Sequence, residues 1–359
     1  MEAPNRKMSA YGFTRQRIFE RMKQLTASGV NSLPSLRDLA DELGVSLMTV
    51  NKAVTALVKE GQLVSVPRKG FFIPNGPKSL EIGLLIDGLD SELSRTFFRT
   101  PAVLRGILDV LDRECACCIH SLHITSTEDL RPLVENYIGS YKLDACIWYQ
   151  PESHFVPFIR DIAAKLNAPL MVAASSFDEV ASDGLPPAYA TKDPYGTGRG
   201  CAEFLLARGH RKIACFNACN YERKEEHKSF LAALAEAGAE CRREWCVAPE
   251  ASASAIPGLL DKGEVTAAVV NGGAIKMQNV LQTVGSHPGA GRMELLVDDV
   301  GNSMPSLLSK FPAVKVVGIN RFPDYEIGVA SARAVIDCVE NGRPLPVVKI
   351  PTRIEECQQ

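Results

Sequence analysis

The apolar positions of the first sixty residues recur at helical spacing in three short runs. Ile18, Met22 and Leu25, widened by Phe19, predict a helix from about Thr14 to Ser28, stopped by Gly29. Ser35 is placed to cap a second helix carrying Leu36, Leu39, Ala40 and Leu43, which Gly44 ends in a tight turn. Ser46 caps a third, with Val50, Ala53, Val54 and Leu57 facing inward and Gly61 closing it. The period then changes. Leu63-Val64-Ser65-Val66 alternates as a strand, Pro67 to Gly70 is a turn, and Phe71-Phe72-Ile73 returns as a second strand. Turn and breaker residues at 74–79 carry no apolar period and mark a boundary. Beyond Leu80, runs at 81–86, 118–124, 143–149, 169–174, 212–216, 267–270 and 294–297 read as buried strands. Helical spacing appears between them at 103–111, 155–166 and 197–208. Such alternation predicts parallel sheets covered by helices. The expected fold class is α/β: a winged helix-turn-helix at 1–74, a linker at 75–79, and a body of parallel sheets at 80–359, long enough to divide into two lobes.

Composition narrows the class of function. No run approaches the ~18 apolar residues that a membrane helix needs. Residues 1–16 lack the apolar stretch of a signal peptide, so no membrane partner and a cytoplasmic location are expected. Eleven cysteines, an odd number with no regular framework, read as reduced thiols. Cys115, Cys117 and Cys118 precede His120 and His123, but successive strand residues point to opposite faces, so no metal site is expected there. The net charge of −2 is unevenly spread. Residues 1–78 hold twelve Lys and Arg against six Asp and Glu, leaving a basic head on an acidic body. That asymmetry suits a head that meets nucleic acid.

Two short helices joined by a glycine turn, the second exposing polar residues near its start, form the helix-turn-helix pattern. Its second helix enters the major groove of double-stranded DNA by its N-terminal end. The expected contacts are Ser46, Leu47, Thr49, Asn51 and Lys52. Asn can read adenine, whereas Thr and Leu can touch the thymine methyl. Arg37 is placed to reach a phosphate or a guanine, and Arg68 and Lys69 at the hairpin tip to reach backbone phosphate or the minor groove.

These residues make 14–74 resemble the GntR-type winged helix. The matching pieces are Leu33-Pro34-Ser35-Leu36-Arg37-Asp38-Leu39-Ala40, Leu43-Gly44-Val45-Ser46, Met48-Thr49-Val50-Asn51-Lys52-Ala53, Glu60-Gly61 and Arg68-Lys69-Gly70-Phe71-Phe72-Ile73. Leu47 and Asn51 stand where that family usually has Arg, which implies an altered site preference. The body resembles the LacI-type effector domain, itself similar to periplasmic sugar-binding proteins. The resemblance rests on Asp193-Pro194-Tyr195-Gly196-Thr197-Gly198-Arg199, Gly209-His210-Arg211-Lys212-Ile213-Ala214, Phe230 to Leu234, and Val297-Asp298-Asp299. The pairing resembles AraR-like sugar-responsive regulators and implies a homodimer with a sugar-like effector.

In such sheets ligands sit outside the carboxyl ends of strands. The positions that match family pocket residues are Asp87, Ser175, Arg223 or Lys224, Asn271, Asp298 and Phe322. A carboxylate pair, an amide, a cation and an aromatic face suit a sugar's hydroxyls and apolar ring face. Glu226 and Ser229 stand where that family has Arg and Gly, and Gly272-Gly273 follow Asn271 where an Asp is usual. His210 is expected to order a helix-to-strand turn. Each pocket candidate also has a plainer reading: Asp298 as a cap, Phe322 as core, Asn271 as a turn residue.

No G-x-S-x-G, H-E-x-x-H or P-loop pattern is present, so no enzyme activity and no cofactor are expected. Gly196 and Gly198 lack the third glycine of G-x-G-x-x-G, Cys201 standing in its place, and are read as not closely following a hydrophobic strand, against a dinucleotide site. The expected function is a DNA-binding transcription regulator, a repressor controlled by a sugar or sugar derivative. The alternative is an enzyme-like or ligand-insensitive body that only dimerises.

Overall fold

The computed structural model describes residues 10–66, 69–73, 79–87, 100–124, 130–151, 155–175, 186–217, 224–272, 274–299 and 304–357. The chain separates into two compact units, Met1–Glu81 with Leu111–Cys118, and Ile82–Val110 with Ile119–Gln359. The predicted linker falls almost wholly outside the described residues.

The head contains α1 (Ala10–Ala27), α2 (Leu36–Leu43), α3 (Leu47–Lys59), and a hairpin of β1 (Val64–Val66) and β2 (Gly70–Phe72). Helix α1 begins four residues before the apolar stripe predicted it. Ser35 caps α2 reciprocally: its hydroxyl accepts from the Asp38 N–H at 3.2 Å and donates to the Asp38 carboxylate at 2.7 Å. Gly44 takes φ +62° at the end of α2, a left-handed conformation that glycine adopts without penalty. Ile18, Leu39, Val50, Val54, Leu57 and Leu63 close one small core. An isolated bridge between Ser32 and Phe72 ties the segment before α2 to the two-stranded hairpin, completing a winged helix-turn-helix.

The body opens with β3 (Leu80–Asp87), α4 (Thr100–Glu114), β4 (Cys117–Ile124), α5 (Leu130–Ser140), β5 (Ala145–Tyr149), α6 (Val156–Lys165), β6 (Leu170–Ala173) and β7 (Tyr189–Lys192). It continues through α7 (Pro194–Ala207), β8 (Ile213–Phe216), α8 (Glu225–Glu236), β9 (Cys246–Val247), α9 (Ser252–Lys262), β10 (Ala267–Val270), α10 (Ala274–Gly285) and β11 (Glu294–Asp299). It ends with α11 (Met304–Leu308), β12 (Lys315–Arg321), α12 (Asp324–Asn341), β13 (Val347–Ile350) and β14 (Arg353–Glu356).

Two six-stranded sheets result, ordered β13-β7-β6-β5-β3-β4 and β14-β12-β11-β10-β8-β9. Apart from β14, which pairs antiparallel with β12, the recorded pairings in both sheets are parallel. Strands such as β5, β6, β8 and β10 are buried along their whole length, which is why they appear as unbroken apolar runs. The chain passes between lobes at three places. They are Asp193 between β7 and α7, Phe322-Pro323 between β12 and α12, and Pro351-Thr352 between β13 and β14.

Glycines let helices approach at two seams. A Cβ on Gly106 of α4 would run into the Tyr325 carbonyl of α12. One on Gly198 of α7 would run into the Glu226 carbonyl of α8. Gly198 therefore sets the contact between α7 and α8. A strand does closely precede Gly196 and Gly198, with only Asp193 between β7 and α7, though it is not an apolar one. Its sequence, Tyr-Ala-Thr-Lys, is fully buried yet too short and polar to read as an apolar run. Gly198 serves helix packing, whereas Gly196 lies against the Asp193 side chain at the start of its own helix. The plainer reading of His210 matches its place: its ring bridges Thr266 Oγ1 at 2.9 Å and Glu294 Oε2 at 3.0 Å.

Candidate functional site

The exposed end of α3 is built by its cap. Ser46 Oγ accepts from the Thr49 N–H at 3.2 Å and lies 2.8 Å from Thr49 Oγ1, so both hydroxyls are engaged in holding the first turn. What that turn presents outward is Leu47, 45% exposed, and Met48, 80% exposed. Asn51 and Lys52 are exposed one turn further on, and Lys52 Nζ lies 5.9 Å from the centre of the Tyr11 ring. Arg37 is exposed on the first turn of α2, and Lys69 is exposed beside the hairpin turn. Arg68 lies outside the described residues. Met48 was quoted in the sequence pattern but not singled out as a contact. Its position, one residue into a helix whose inward face is Val50 and Val54, was the available signal.

In the body, the carboxyl ends of the strands carry a polar cluster. Asp298, near the end of β11, is buried and accepts from Asn320 Nδ2 at 2.9 Å and from the Gly272 N–H at 3.4 Å. Burial pushes its carboxyl up to about 6. Lys192 pulls against that shift and the neighbouring Glu226 adds to it. Lys192, the last residue of β7, is nearly buried. Its ammonium donates to Glu226 Oε2 at 2.7 Å and lies 4.2 Å from the centre of the Phe322 ring. A second pair, Lys349 with Glu225 at 3.1 Å, runs beside it from β13 to α8.

Two strand ends adopt left-handed backbone at residues other than glycine: Gln150 after β5, φ 51°, and Asn217 after β8, φ 61°. Each uses its amide to hold a neighbouring segment. Gln150 Oε1 accepts from the Ser175 N–H at 3.1 Å, and Asn217 Nδ2 donates to Asn271 O at 2.8 Å. Such conformations persist where the surroundings over-determine them, often at ligand clamps. At and near these strand ends the buried oxygens Asn217 Oδ1, Asn320 Oδ1, Ser175 Oγ and Thr191 Oγ1 have no hydrogen-bond partner among the described residues. Each such atom costs about 1–3 kcal/mol unless something satisfies it.

Of the predicted pocket residues, Asp298, Asn271 and Phe322 lie at the ends of, or just after, adjacent strands in the second sheet, and Lys224 caps the start of α8. Ser175 lies beyond β6 in the first lobe. Asn271 donates to Cys215 Sγ at 3.3 Å, so its amide is partly engaged in the core. Arg223 and the side chain of Asp87 lie outside the described residues. Sequence reasoning missed Lys192, Glu226 as its partner, Asn217 and Asn320. Among the described residues no group of three or more His, Cys, Asp or Glu is arranged to hold a metal ion, and no helix is long and apolar enough to cross a membrane.

Residues 10–73 match the family of bacterial regulatory proteins, gntR family. The chain couples a GntR-type head to a body of LacI-type fold. The body's fold is that of a LacI-family regulatory protein from Chloroflexus aggregans, at 14% identity over 76% of this chain and 96% of that one, TM-score 0.61. GanP, a glucose-galactose binding protein from Geobacillus stearothermophilus, is similar at 17% identity, with 78% and 98% covered and TM-score 0.55. The transcriptional regulator CelR, solved in complex with cellobiose, is similar over 90% of this chain and 98% of its own, at 17% identity and TM-score 0.56. The matched family and these structures are regulators and sugar-binding proteins, not enzymes. The GntR-type head accounts for α1 to β2, and the LacI-type body for both six-stranded sheets.

Proposed function

We propose that this chain is a sugar-responsive transcription repressor, acting in the cytoplasm as a homodimer on double-stranded operator DNA. The head spans 1–74, a linker 75–79, and the effector-binding and dimerising body 80–359. DNA is contacted through Arg37, Ser46, Leu47, Thr49, Asn51, Lys52, Arg68 and Lys69. The effector is a sugar or sugar derivative held at the strand ends by Asp298, Asn271, Phe322, Ser175, Lys224, Arg223 and Asp87, with Asn217 and Asn320 added from the geometry. The observation that carries the effector reading is the set of buried oxygens on Asn217, Asn320, Ser175 and Thr191 that have no hydrogen-bond partner among the described residues, together with the buried carboxyl of Asp298. A polyol supplies the hydroxyl donors that such acceptors lack. Cellobiose, glucose and galactose, which the similar proteins bind, are the first candidates.

Control follows from the three interlobe crossings. A ligand that binds better when the lobes are closed shifts the population toward closure and moves paired heads out of register with a palindromic operator. The test is a thermal-shift screen of the full chain against mono- and disaccharides, sugar phosphates and purines. A ligand at 100 times its Kd adds about 2.7 kcal/mol, and a sugar is expected to produce that shift. A shift with purines alone, or with none of the panel, overturns the sugar assignment and leaves the head's match untouched.

A further inference from the structure

The start of α3 carries an apolar tip on the most basic part of the molecule. Residues 1–78 hold a twofold excess of cationic over anionic side chains, yet the outward first turn of α3 is Leu47 and Met48. Met48 is 80% exposed, so the described residues of the head leave most of its side chain uncovered. The polar groups that would otherwise dominate that turn are occupied: Ser46 and Thr49 hydrogen-bond each other and the backbone. The next exposed polar side chains along the helix are an amide, Asn51, and a cation, Lys52.

Each base pair presents its own surface in the major groove. Guanine offers two acceptors, which a cation reads best. Adenine offers a donor and an acceptor, which an amide reads, and thymine alone offers a methyl group. The tip of α3 supplies two apolar side chains and an amide. That chemistry matches A·T pairs.

We propose that Leu47 and Met48 read thymine 5-methyl groups in the major groove, so that the operator half-site under α3 is built on A·T pairs rather than guanine. Asn51 takes the adenine side of that contact, and Arg37, Lys52 and Lys69 hold the phosphates that fix the register. Met48 is the stronger reader because its long, unbranched side chain adapts to two neighbouring methyl positions. The proposal rests on the reading of the head as a DNA-binding domain.

The experiment takes the full chain through selection from duplexes with a randomised core of about three helical turns, enough to span two half-sites. Each thymine of the selected duplex is then replaced by deoxyuridine, which removes only the methyl group. Binding is read by fluorescence anisotropy for the wild-type chain, Met48→Ala and Leu47→Ala. The side chains are exposed, so the variants are expected to keep the wild-type melting temperature. At the contacted positions the methyl deletion is expected to weaken wild-type binding about fourfold, the factor for one buried methyl-sized group. In Met48→Ala the same deletion at its thymine is expected to cost nothing. Deoxyuridine that is neutral at every thymine, or that weakens wild type and both variants equally, overturns the methyl reading while leaving DNA binding intact. A selection that enriches no duplex overturns the DNA-binding reading itself, and this inference with it.

Discussion

Replacing Asp298 with Asn tests whether a buried carboxyl sits at the strand ends at a cost to the fold. In the folded chain burial raises the carboxyl to about 6 from an ordinary 3.8. Below about pH 4 both folded and unfolded states are protonated, and the group is neutral to stability. As pH rises from about 4 to about 6 the unfolded chain ionises while the folded one holds its proton. Stability therefore falls through that window and levels off above it. Roughly two pKa units at about 1.36 kcal/mol each give a loss of about 3 kcal/mol at neutral pH. The substituted amide cannot ionise, and its oxygen can still accept from Asn320. Its remaining cost, at the long bond from the Gly272 N–H, does not depend on pH. Relative to wild type, Asp298→Asn is thus expected to gain about 3 kcal/mol between about pH 4 and pH 7. At about 2.1 cal/mol/K per residue of the 80–359 body, that is roughly 5 °C in melting temperature. Urea denaturation of both proteins at several pH values across that range measures it. Parallel stability curves would refute the raised carboxyl, and a relative loss with rising pH would reverse its sign.

Other consequences follow from particular contacts. Gly198→Ala drives a Cβ into the Glu226 carbonyl, an obstacle of backbone rather than flexible side chain. The expected destabilisation is about 1–3 kcal/mol, measured by urea midpoint at constant m-value, and a neutral result would mean that α7 and α8 are not held as described. Glu294 has its carboxyl lowered to about 2, first by the bond from Arg208 and then by Lys315 and His210. Its contribution is present above the ordinary 4.5 and lost as pH falls toward about 2, so Glu294→Gln should flatten the acid limb of the stability curve. Arg37→Ala should weaken operator binding severalfold without altering any sugar-induced thermal shift, and equal loss of both would contradict the division into head and body.

Much of the architecture was legible because each lobe buries its parallel strands on both faces. Ala267–Val270 and Ala145–Tyr149 announce themselves as apolar runs. The caps Ser35 and Ser46 were equally plain, since a short hydroxyl side chain just ahead of an apolar helical stripe has one evident use. Strand β7 was missed because Ala190, Thr191 and Lys192 are buried by the fold rather than by their own apolarity. The same strand hid Lys192. A lysine 34 residues from its carboxylate partner leaves no local trace, and only the crossing from β7 to α7 brings it to α8. Glu226 was noted as an acidic residue where the resembling family has Arg, but the cation facing it lay on another element. Asn217 was masked by the apolar run that precedes it. Its left-handed backbone and unpaired oxygen are visible only in three dimensions.

The most direct measurement is the affinity of the full chain for its selected duplex, by fluorescence anisotropy, with and without each sugar of the thermal-shift panel. The account predicts that a sugar which stabilises the protein also raises the Kd for that duplex at least about tenfold, the size of a typical coupling between sites. It also predicts that Asp298→Asn abolishes the response while binding DNA normally without sugar. A stabilising sugar that leaves the Kd unchanged would contradict the claim that the body controls the head.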